Sequence, residues 1–411
     1  MIARRDMLKS LAGLSAAGTL GAWPEVAATL AGPAPDLAFG FAPDRVPMNA
    51  ANLCPMPSAI TNAVSRYARE LDRDLSDANR RRIESMKETA RAAFAAQLGV
   101  SADEIAILRN TSEANSIVVQ GAGLQPDDEV LLWDQNHPSN ALAWEVRAAR
   151  DGFRVRYFTV SPASGSMDEV VGEVTSALGP RTRLVSFTHI SNVTGFRLPA
   201  SEICAALRRR HQGLFIHIDG AQTWGVRDVH LGQMDCDSFS GSAHKWLMGP
   251  RETGILYVRA ARHDEVAATV VSIPWGNEVE PSVMGARRYE ALGQRDDAAV
   301  AALAETAAWH AALTPDKVAQ QATAIADRLR DALVELGVSF VSPLHPDFRS
   351  NVIVLAASDA ARRELPRLVF EESGVITAGV GGLRMSPHIY NTADHVDRVA
   401  GAIEKLRRML G

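Results

Sequence analysis

Hydrophobic and polar residues follow two alternating patterns over residues 35–411. Stretches rich in Ala, Arg and Glu predict helices, and they lie at residues 58–98, 140–150 and 200–210. Short apolar runs bounded by turn residues predict strands, and they lie at residues 105–108, 129–133, 154–158, 183–187, 214–218 and 254–258. Strands that alternate with helices at this spacing indicate crossover connections and a mostly parallel sheet, so the chain is predicted to be an α/β protein.

The C-terminal third has a different rhythm. A long helical pattern begins at residue 314, and it is followed by a strand at 351–356, a helix at 360–373 and a last helix at 393–410. This order predicts a smaller α+β domain. We therefore divide the chain into four parts: residues 1–31, an N-terminal segment at 35–60 that packs with the small domain, a large domain at 61–300 and a small domain at 301–411.

Residues 1–31 have the composition of a removable targeting segment. Arg4 and Arg5 precede a weakly apolar, Gly- and Ala-rich run at 11–23 that is too short and too poor in large apolar residues to span a membrane. The start is similar to the bacterial twin-arginine signal, although Met7 stands where that pattern usually has Phe. This similarity implies export by the twin-arginine machinery and a periplasmic location; an ordinary amphipathic helix is the alternative.

Composition excludes several classes of function. The 411 residues are 46% apolar, which is enough to bury a large core. The net charge is -5, with 43 Lys and Arg against 48 Asp and Glu, so electrostatics gives no reason to expect binding to nucleic acid. The three cysteines, Cys54, Cys204 and Cys236, are far apart and predict neither a disulfide framework nor a paired-cysteine metal site.

Two short segments carry the chemistry. The first, His-Ile-Asp-Gly-Ala-Gln, places Asp219 at a predicted strand end, and the second, residues 240–250, places Lys245 among small residues. A carboxylate at a buried strand end can keep a heteroaromatic nitrogen protonated, and a partly desolvated lysine can form a Schiff base with a carbonyl. These are the main requirements for binding pyridoxal phosphate (PLP). Each residue alone also fits a surface lysine or a turn aspartate.

Together with Thr-His-Ile-Ser-Asn-Val-Thr-Gly at 188–195, these segments resemble the class V aminotransferase superfamily over nearly the whole mature chain. The resemblance implies the fold type I architecture of PLP-dependent enzymes: a large domain with a mostly parallel, seven-stranded sheet and a small C-terminal α+β domain. It also implies that Lys245 carries PLP as a Schiff base, that Asp219 pairs with the ring nitrogen, and that Gln222 and Asn192 face the phenolic oxygen.

The phosphate group of PLP has a candidate site at residues 109–114, between the strand at 105–108 and a helix. A helix N-terminus with hydroxyl side chains suits an anion, although the same residues also fit an ordinary helix cap. The resemblance assigns the phosphate to four side chains: Thr111, Ser112, Ser242 and His244. It also places Gln294 where relatives often carry a Thr that reaches the phosphate of the neighbouring subunit.

Two more residues take roles from the resemblance. His137 matches the aromatic residue that stacks on the cofactor ring, and an imidazole there can also move protons. Arg384 lies in a segment, residues 382–391, that is similar to the isopenicillin N epimerase-like branch, where an arginine binds the substrate carboxylate through its fork of donors. The alternatives are a solvent-facing loop histidine and a strand arginine in a salt bridge.

The expected function is PLP-dependent chemistry at the amino group of an amino acid or an amino-acid-derived metabolite. An aminotransferase-like activity is favoured, with amino-acid epimerisation and C–S lyase activity as alternatives. The arginine pair at the N-terminus adds the hypothesis of a periplasmic enzyme that tailors a siderophore or another secondary metabolite. A non-catalytic binding protein of the same fold is disfavoured because both Lys245 and Asp219 are present.

Cysteine desulfurase activity is disfavoured, because that reaction needs a mobile cysteine before the substrate arginine and no cysteine follows Cys236. Residues 373–379 occupy the corresponding loop. The family resemblance also implies a homodimer with its sites at the subunit boundary. Residues 273–277, Arg287 and Arg288 are the predicted contacts between subunits.

Overall fold

The computed structural model describes residues 36–161, 164–272 and 285–410. The predicted targeting segment and the predicted subunit contact at 273–277 lie outside these described residues. Within the described part of the chain, no helix is both long and apolar enough to cross a membrane.

A seven-stranded sheet forms the centre of the large domain. A short first strand, β1 (Val46–Pro47), lies outside it, and the seven strands that compose it are β2 (Ile105–Leu108), β3 (Glu129–Trp133), β4 (Arg154–Phe158), β5 (Thr182–Thr188), β6 (Phe215–Asp219), β7 (Ser238–Ser242) and β8 (Gly254–Val258). Their order is β2-β8-β7-β6-β5-β3-β4, and only β8 runs antiparallel to its neighbours. The predicted mostly parallel sheet of seven strands is confirmed.

The strands alternate between two buried faces. Leu131 and Trp133 belong to one apolar cluster, whereas Val130 and Leu132 belong to another on the opposite side of the sheet. Successive residues of a strand point to opposite faces, so a strand buried on both sides reads as a continuous apolar run. This explains why the strands were recognisable in the sequence.

Helices cover the sheet, and three of the seven helices named next begin at a residue whose side chain caps the helix. Those of the large domain's first part are α1 (Ser58–Arg73), α2 (Asp77–Leu98), α3 (Thr111–Gly121), α4 (Leu142–Asp151), α5 (Met167–Ser176), α6 (Ala200–Arg210) and α7 (Leu231–Met234). The single helical stretch predicted at 58–98 is wrong, because it is two helices. Asp74 is extended, and the Ser76 hydroxyl accepts a hydrogen bond from the Asn79 N–H, which caps the second helix.

The C-terminal part contains the second, smaller domain. Its elements are α8 (Asp297–Leu313), α9 (Pro315–Glu335), β9 (Ile353–Leu355), α10 (Asp359–Ser373), β10 (Val375–Ile376), β11 (Leu383–Met385) and α11 (Ala393–Leu406). Strand β1 pairs in parallel with β10, so the N-terminal segment joins this domain. Helix α8 packs against α1 and α2. The boundary predicted at residue 300 falls inside α8, and the division into domains remains a prediction.

The register of three central strands builds one edge of the sheet. Thr188 at the end of β5 pairs with Asp219 at the end of β6, and Asp219 pairs with Ser240 in β7. Parallel strands end at the same edge, and ligands of open α/β sheets bind outside that edge. The sheet therefore presents Asp219 at the place where a cofactor is expected.

The residue after Asp219 has no room for a side chain. A Cβ added to Gly220 would lie 1.8 Å from Cζ of the buried Phe239 ring, so Gly220→Ala must displace either the ring or the turn that follows β6. We expect this substitution to lower the free energy of unfolding by about 1 to 3 kcal/mol, as overpacking of a core does. Urea unfolding of the purified variant measures the change.

Gly172→Ala is the matched control, because Gly172 lies within α5 and a Cβ there meets no atom within 4 Å. It should raise stability by up to about 1 kcal/mol through helix propensity. Equal stability of the two alanine variants would contradict the packing account of Gly220.

Candidate active site

A cavity of about 270 Å³ opens at the carboxyl ends of β5 and β6. The residues that line it are Asn52, Asn110, Thr111, Ser112, His137, Ser139, Thr188, Asn192, Asp219, Ala221, Gln222, Ser242, His244 and Lys245. Every predicted cofactor-binding residue is in this set. Arg384 is outside the lining but close enough to lower the pKa of Lys245 electrostatically. The structure therefore brings the predicted residues into one site, although they come from six separate parts of the chain.

Asp219 is a buried carboxylate held by neutral donors. It is 1% exposed at the end of β6. Its Oδ1 accepts a hydrogen bond of 2.9 Å from the Ala221 N–H, and its Oδ2 accepts one of 2.8 Å from the Asn115 side-chain amide. No cation forms an ion pair with it among the described residues, so its negative charge remains available to a ligand in the cavity.

Lys245 faces the same cavity as an unpartnered amine. No hydrogen bond to its Nζ exists within the part of the chain that the structure describes. Burial lowers the pKa of Lys245, and Arg384 lowers it further, whereas the nearby Asp219 opposes the shift. A lysine with a lowered pKa has a larger share of neutral amine, which is the form that attacks a carbonyl or accepts a proton.

The N-terminus of α3 forms one wall of the cavity. Asn110 is the cap of this helix, because its side chain accepts a hydrogen bond of 2.9 Å from the Glu113 N–H. Thr111 and Ser112 therefore do not serve as the cap, which removes the alternative interpretation of these residues. The Thr111 N–H donates to the Ser242 hydroxyl at 2.8 Å, which ties the helix to β7. The positive end of the helix dipole suits a phosphate here.

His244 stands beside Lys245 as a neutral imidazole. Burial, Lys245 and Arg251 lower the pKa of His244 to about 4. Its buried Nδ1 has no hydrogen-bond partner among the residues that the structure describes. An unsatisfied buried nitrogen next to a helix N-terminus is consistent with a bound oxygen ligand that is supplied from the cavity.

His137 presents a defined ring nitrogen to the cavity. Its Nδ1 lies 3.2 Å from the Ser139 N–H, which donates to it, and 2.9 Å from the Ser139 hydroxyl. Burial lowers the pKa of His137, and Lys245 and Arg384 lower it further while Asp219 opposes them. The ring is therefore neutral near pH 7. Because Nδ1 accepts the backbone hydrogen bond, the proton is on Nε2.

Gln222 has its amide orientation fixed by a tryptophan. The indole Nε1–H of Trp246 donates to Gln222 Oε1 at 2.7 Å, and Gln222 Nε2 donates to the Ala51 carbonyl at 3.0 Å. An indole N–H can only donate, so the oxygen must face Trp246. The second hydrogen of Nε2 is left for a partner in the cavity, which agrees with the oxygen contact expected from the family resemblance.

Arg384 lies on β11 and is 4% exposed. Its guanidinium donates to the Asn192 carbonyl at 2.9 Å and to Asn49 Oδ1 at 3.1 Å, and its Nε has no partner. Burial lowers the pKa of Arg384 to about 10. No carboxylate among the described residues forms a salt bridge with it, so the alternative of a salt-bridged strand arginine is wrong. Asn192 supports this arginine through its backbone and also lines the cavity.

The predicted subunit contacts that the structure describes have partners within the chain. Gln294 is exposed and donates to Asp297 Oδ2 at 3.1 Å. Arg287 donates to Glu88 at 2.8 Å, and Arg288 donates to backbone carbonyls. Contacts of these residues with a second subunit remain predictions.

The sequence interpretation missed Asn115 and Ser139. Asn115 is fully buried on α3, one helical turn after Thr111, and it bonds to Asp219. Residues four apart lie on the same helix face, so the spacing from Thr111 was an available signal. A polar residue on an otherwise apolar helix face was not enough by itself to identify its partner.

The chemistry of these groups fits PLP. The unpartnered Lys245 amine can hold an aldehyde, the free charge of Asp219 can hold a protonated ring nitrogen, and the α3 N-terminus can hold a phosphate. The orphaned Nδ1 of His244 and Nε of Arg384 are donors or acceptors that a ligand with anionic groups would satisfy.

Arg384 should reduce the stability of the ligand-free protein. An unpaired buried guanidinium costs free energy, because the charge loses hydration without gaining a carboxylate. We expect Arg384→Met to raise the free energy of unfolding of the ligand-free protein by about 1 to 3 kcal/mol. The size of this effect follows from the lowered pKa of Arg384, because a pKa shift measures the free-energy cost of burying the charged form. Denaturant unfolding checks this. Arg91→Met is the control, because Arg91 is also buried but pairs with Glu88 and Glu290, which raise its pKa, and its loss should destabilise the protein.

Comparison with known proteins agrees with this site. A family model described as aminotransferase class V matches residues 54–399. Isopenicillin N epimerase of Streptomyces clavuligerus is 29% identical over 89% of this chain and 95% of its own length. The isopenicillin N epimerase of Amycolatopsis lactamdurans is 30% identical over 88% of this chain and 95% of its own length. A cysteine desulfurase of Serratia proteamaculans is 25% identical over 76% of this chain and 80% of its own length.

Solved structures show the same fold. The cystine C–S lyase C-DES in complex with cysteine persulfide has a TM-score of 0.79 at 25% identity, covering 88% of this chain and 98% of that one. A C-DES variant with glycine covalently linked to its PLP cofactor has a TM-score of 0.80 at 24% identity, and the match covers 88% of this chain and 97% of that one. With the family match over most of its length and a site that fits the cofactor, this chain belongs to the class V aminotransferase family of PLP-dependent enzymes.

Proposed function

We propose that this protein is an aminotransferase-like enzyme that acts on the amino group of an amino acid or an amino-acid-derived metabolite. The observation that carries the proposal is the unpartnered Lys245 amine beside Asp219, with the unpaired Arg384 guanidinium nearby. The amine and the carboxylate serve the cofactor, and the guanidinium suits a substrate carboxylate. Together they fit an α-amino acid.

When bound, PLP withdraws electrons from the substrate Cα and so makes its proton acidic. Asp219 would keep the ring nitrogen protonated, the N-terminus of α3 with His244 would hold the phosphate, and His137 would stack on the ring. Each role matches the position and the charge of that group in the cavity. All of them orient the cofactor and leave the proton chemistry to the neighbouring amine.

Lys245 is placed to be the general base. Burial lowers its pKa, so more of the amine is neutral and able to take a proton from the substrate Cα. It is the only lysine that lines the cavity within the described chain. One base on one side removes the proton and returns it on that side, which favours transamination over inversion of the stereocentre.

Amino-acid epimerisation is the second candidate. Two relatives named isopenicillin N epimerase align over 95% of their length. Inversion needs an acid on the opposite side of Cα, and His137 is the available group, because its neutral ring carries a proton on Nε2. The two candidates therefore differ in whether His137 takes part in proton transfer.

The cysteines argue against desulfurase activity. Burial raises the pKa of Cys54 and of Cys236 to about 12, and it raises the pKa of Cys204 well above its ordinary value. All three thiols are buried and protonated at neutral pH. A persulfide-forming cysteine has to be an accessible thiolate, and none of these residues meets that requirement.

We also propose that the enzyme is exported to the periplasm by the twin-arginine machinery and that it tailors a siderophore or another secondary metabolite. Arg4 and Arg5, followed by the Gly- and Ala-rich run at 11–23, support export. Fusion of residues 1–31 to a reporter, with Arg4→Lys and Arg5→Lys together as the comparison, tests it. A reporter that reaches the periplasm equally well in both forms would contradict the proposal.

The purified holoenzyme should convert amino-acid donors to keto acids, and Lys245→Ala should abolish both turnover and the visible absorbance of lysine-bound PLP. The physical reason is that Lys245 supplies the covalent attachment and the base. Absorption spectra and keto-acid detection measure the two effects. Lys317→Ala is the control, since Lys317 is an exposed lysine far from the cavity in sequence. Release of sulfur or an inverted stereocentre without keto acid would contradict the transaminase proposal.

His137→Phe should separate the two candidate reactions. Phenylalanine keeps the stacking surface but has no proton to give. Transamination should stay within about tenfold of the native rate, whereas epimerisation should fall by about a hundredfold or more, the scale of general acid–base catalysis. Keto-acid yield and chiral analysis of recovered substrate are the measurements.

The pH dependence supplies the control for that variant. The pKa of His137 lies below its ordinary 6.5, so the ring should gain a positive charge only below that pH. A positive imidazole stacked on a protonated cofactor ring is repelled by it, so the rate of either candidate reaction should decline there through His137. In His137→Phe this acidic decline should be absent. An unchanged decline would show that another group causes it.

A further inference from the structure

A chain of hydrogen-bonded polar side chains contacts Asp219, and none of its members is among the residues that line the cavity. It contains Asn115 on α3, His217 on β6, and Ser238 and Ser240 on β7, and each is 0% exposed. Buried polar groups of this kind are costly unless all of them are hydrogen-bonded. Four such residues beside a cofactor-binding carboxylate therefore require an explanation.

Asn115 is the centre of this chain. Its Nδ2 donates to Asp219 Oδ2 at 2.8 Å and to Ser139 Oγ at 3.2 Å. Its Oδ1 lies 2.6 Å from the Ser240 hydroxyl, which donates to it, and 3.0 Å from His217 Nε2. Both hydrogens and both lone pairs of this amide are therefore used.

The directions of these hydrogen bonds follow from Asp219. A carboxylate only accepts, so the amide of Asn115 must turn its NH₂ toward Asp219 and its oxygen toward His217. That oxygen also only accepts, so His217 must carry its proton on Nε2. Burial lowers the pKa of His217 to about 4, which keeps the ring neutral. Its Nδ1 then accepts from the Ser238 hydroxyl at 2.7 Å.

We propose that Asn115, oriented by His217, is a positioning residue that holds the Asp219 carboxylate aimed at the ring nitrogen of PLP, and thereby helps that nitrogen to keep its proton. The proposal concerns the cofactor alone. It holds for transamination and for epimerisation, so it goes beyond the proposed function and does not depend on it.

Asn115 and the residues bonded to it can position Asp219 without cancelling its negative charge, because they are neutral. The titratable or charged groups near Asp219 are His137, His217 and Lys245, with Arg384 beyond them. Both histidines are neutral near pH 7, so their proximity does not cancel the negative charge of the carboxylate. The amide of Asn115 stabilises that charge by a hydrogen bond and leaves it for the ring nitrogen. A cation in the place of Asn115 would compete with the ring.

Asn115→Leu is the direct test, because leucine has a similar volume and cannot donate. The purified variant is loaded with PLP that is isotopically labelled at the ring nitrogen, and NMR reports the protonation of that nitrogen across pH without any substrate. We expect about a tenfold loss of proton affinity at the ring nitrogen, the effect of one hydrogen bond to a charged group. His217→Leu, which frees the amide of Asn115, should give a smaller change in the same direction.

Asn140→Leu is the matched control. Asn140 is also 0% exposed, and its Oδ1 accepts from the Ser186 hydroxyl at 2.8 Å, but it does not contact Asp219. The substitution Asn140→Leu should lower the free energy of unfolding without changing the titration of the ring nitrogen. The double variant of Asn115 and His217 should equal Asn115→Leu alone, because both residues act through one amide.

A cofactor analogue methylated at the ring nitrogen gives a second measurement. Its fixed positive charge replaces the proton that Asn115 helps to retain. In Asn115→Leu it should therefore restore the rate at which an amino acid exchanges its Cα proton with solvent, a step common to both candidate reactions, toward that of the native protein carrying the same analogue. A folded Asn115→Leu protein with a native ring-nitrogen titration would overturn the proposal, as would an equal change in Asn140→Leu. If Asn115→Leu does not fold, a native titration in His217→Leu would overturn it.

Discussion

The burial of one negative charge, on Asp219, is the constraint on which the rest of the site depends. An ionised carboxylate can remain inside a protein only with donors or a cation beside it. Here the donors are the Ala221 N–H and the Asn115 amide, both neutral, so the charge is stabilised but not cancelled. The register of β5, β6 and β7 then decides which residues stand around this charge.

The basic groups of the site are buried as well. Lys245, His244 and Arg384 all have lowered pKa values because burial removes water from them. None of the three has an ion-pair partner within the described residues. Leaving these groups without partners lowers the stability of the ligand-free protein, but it keeps them able to bind a ligand with a phosphate and a carboxylate. Such a trade-off between stability and activity is common. This fits an enzyme that binds an anionic cofactor and an amino acid.

Much of the fold was predictable because the central strands are buried on both faces. The bounds of β2, β3 and β8, which are buried throughout, agree with the apolar runs in the sequence. The bounds of β4 also agree with the prediction, although this edge strand is largely exposed. The prediction of one long helix from residue 58 to 98 was wrong, because local capping at Ser76 interrupts a pattern that composition alone continues. The candidate cofactor-binding residues were also predictable, since Asp219, Gln222 and Lys245 lie in short motifs whose order along the chain resembles the family.

The sequence alone determined the alternation of strands and helices, the identity of the candidate cofactor-binding residues and the lack of a cysteine after Cys236, because these are local patterns. The tertiary structure decided which atoms meet. Asn115 and His217 are 102 positions apart, and Asn192 and Arg384 are 192 apart. Hydrogen bonds over such separations depend on strand register and on burial, which set both the tautomer of His217 and the unpaired charge of Arg384. Neither property is written in the spacing of residues along the chain.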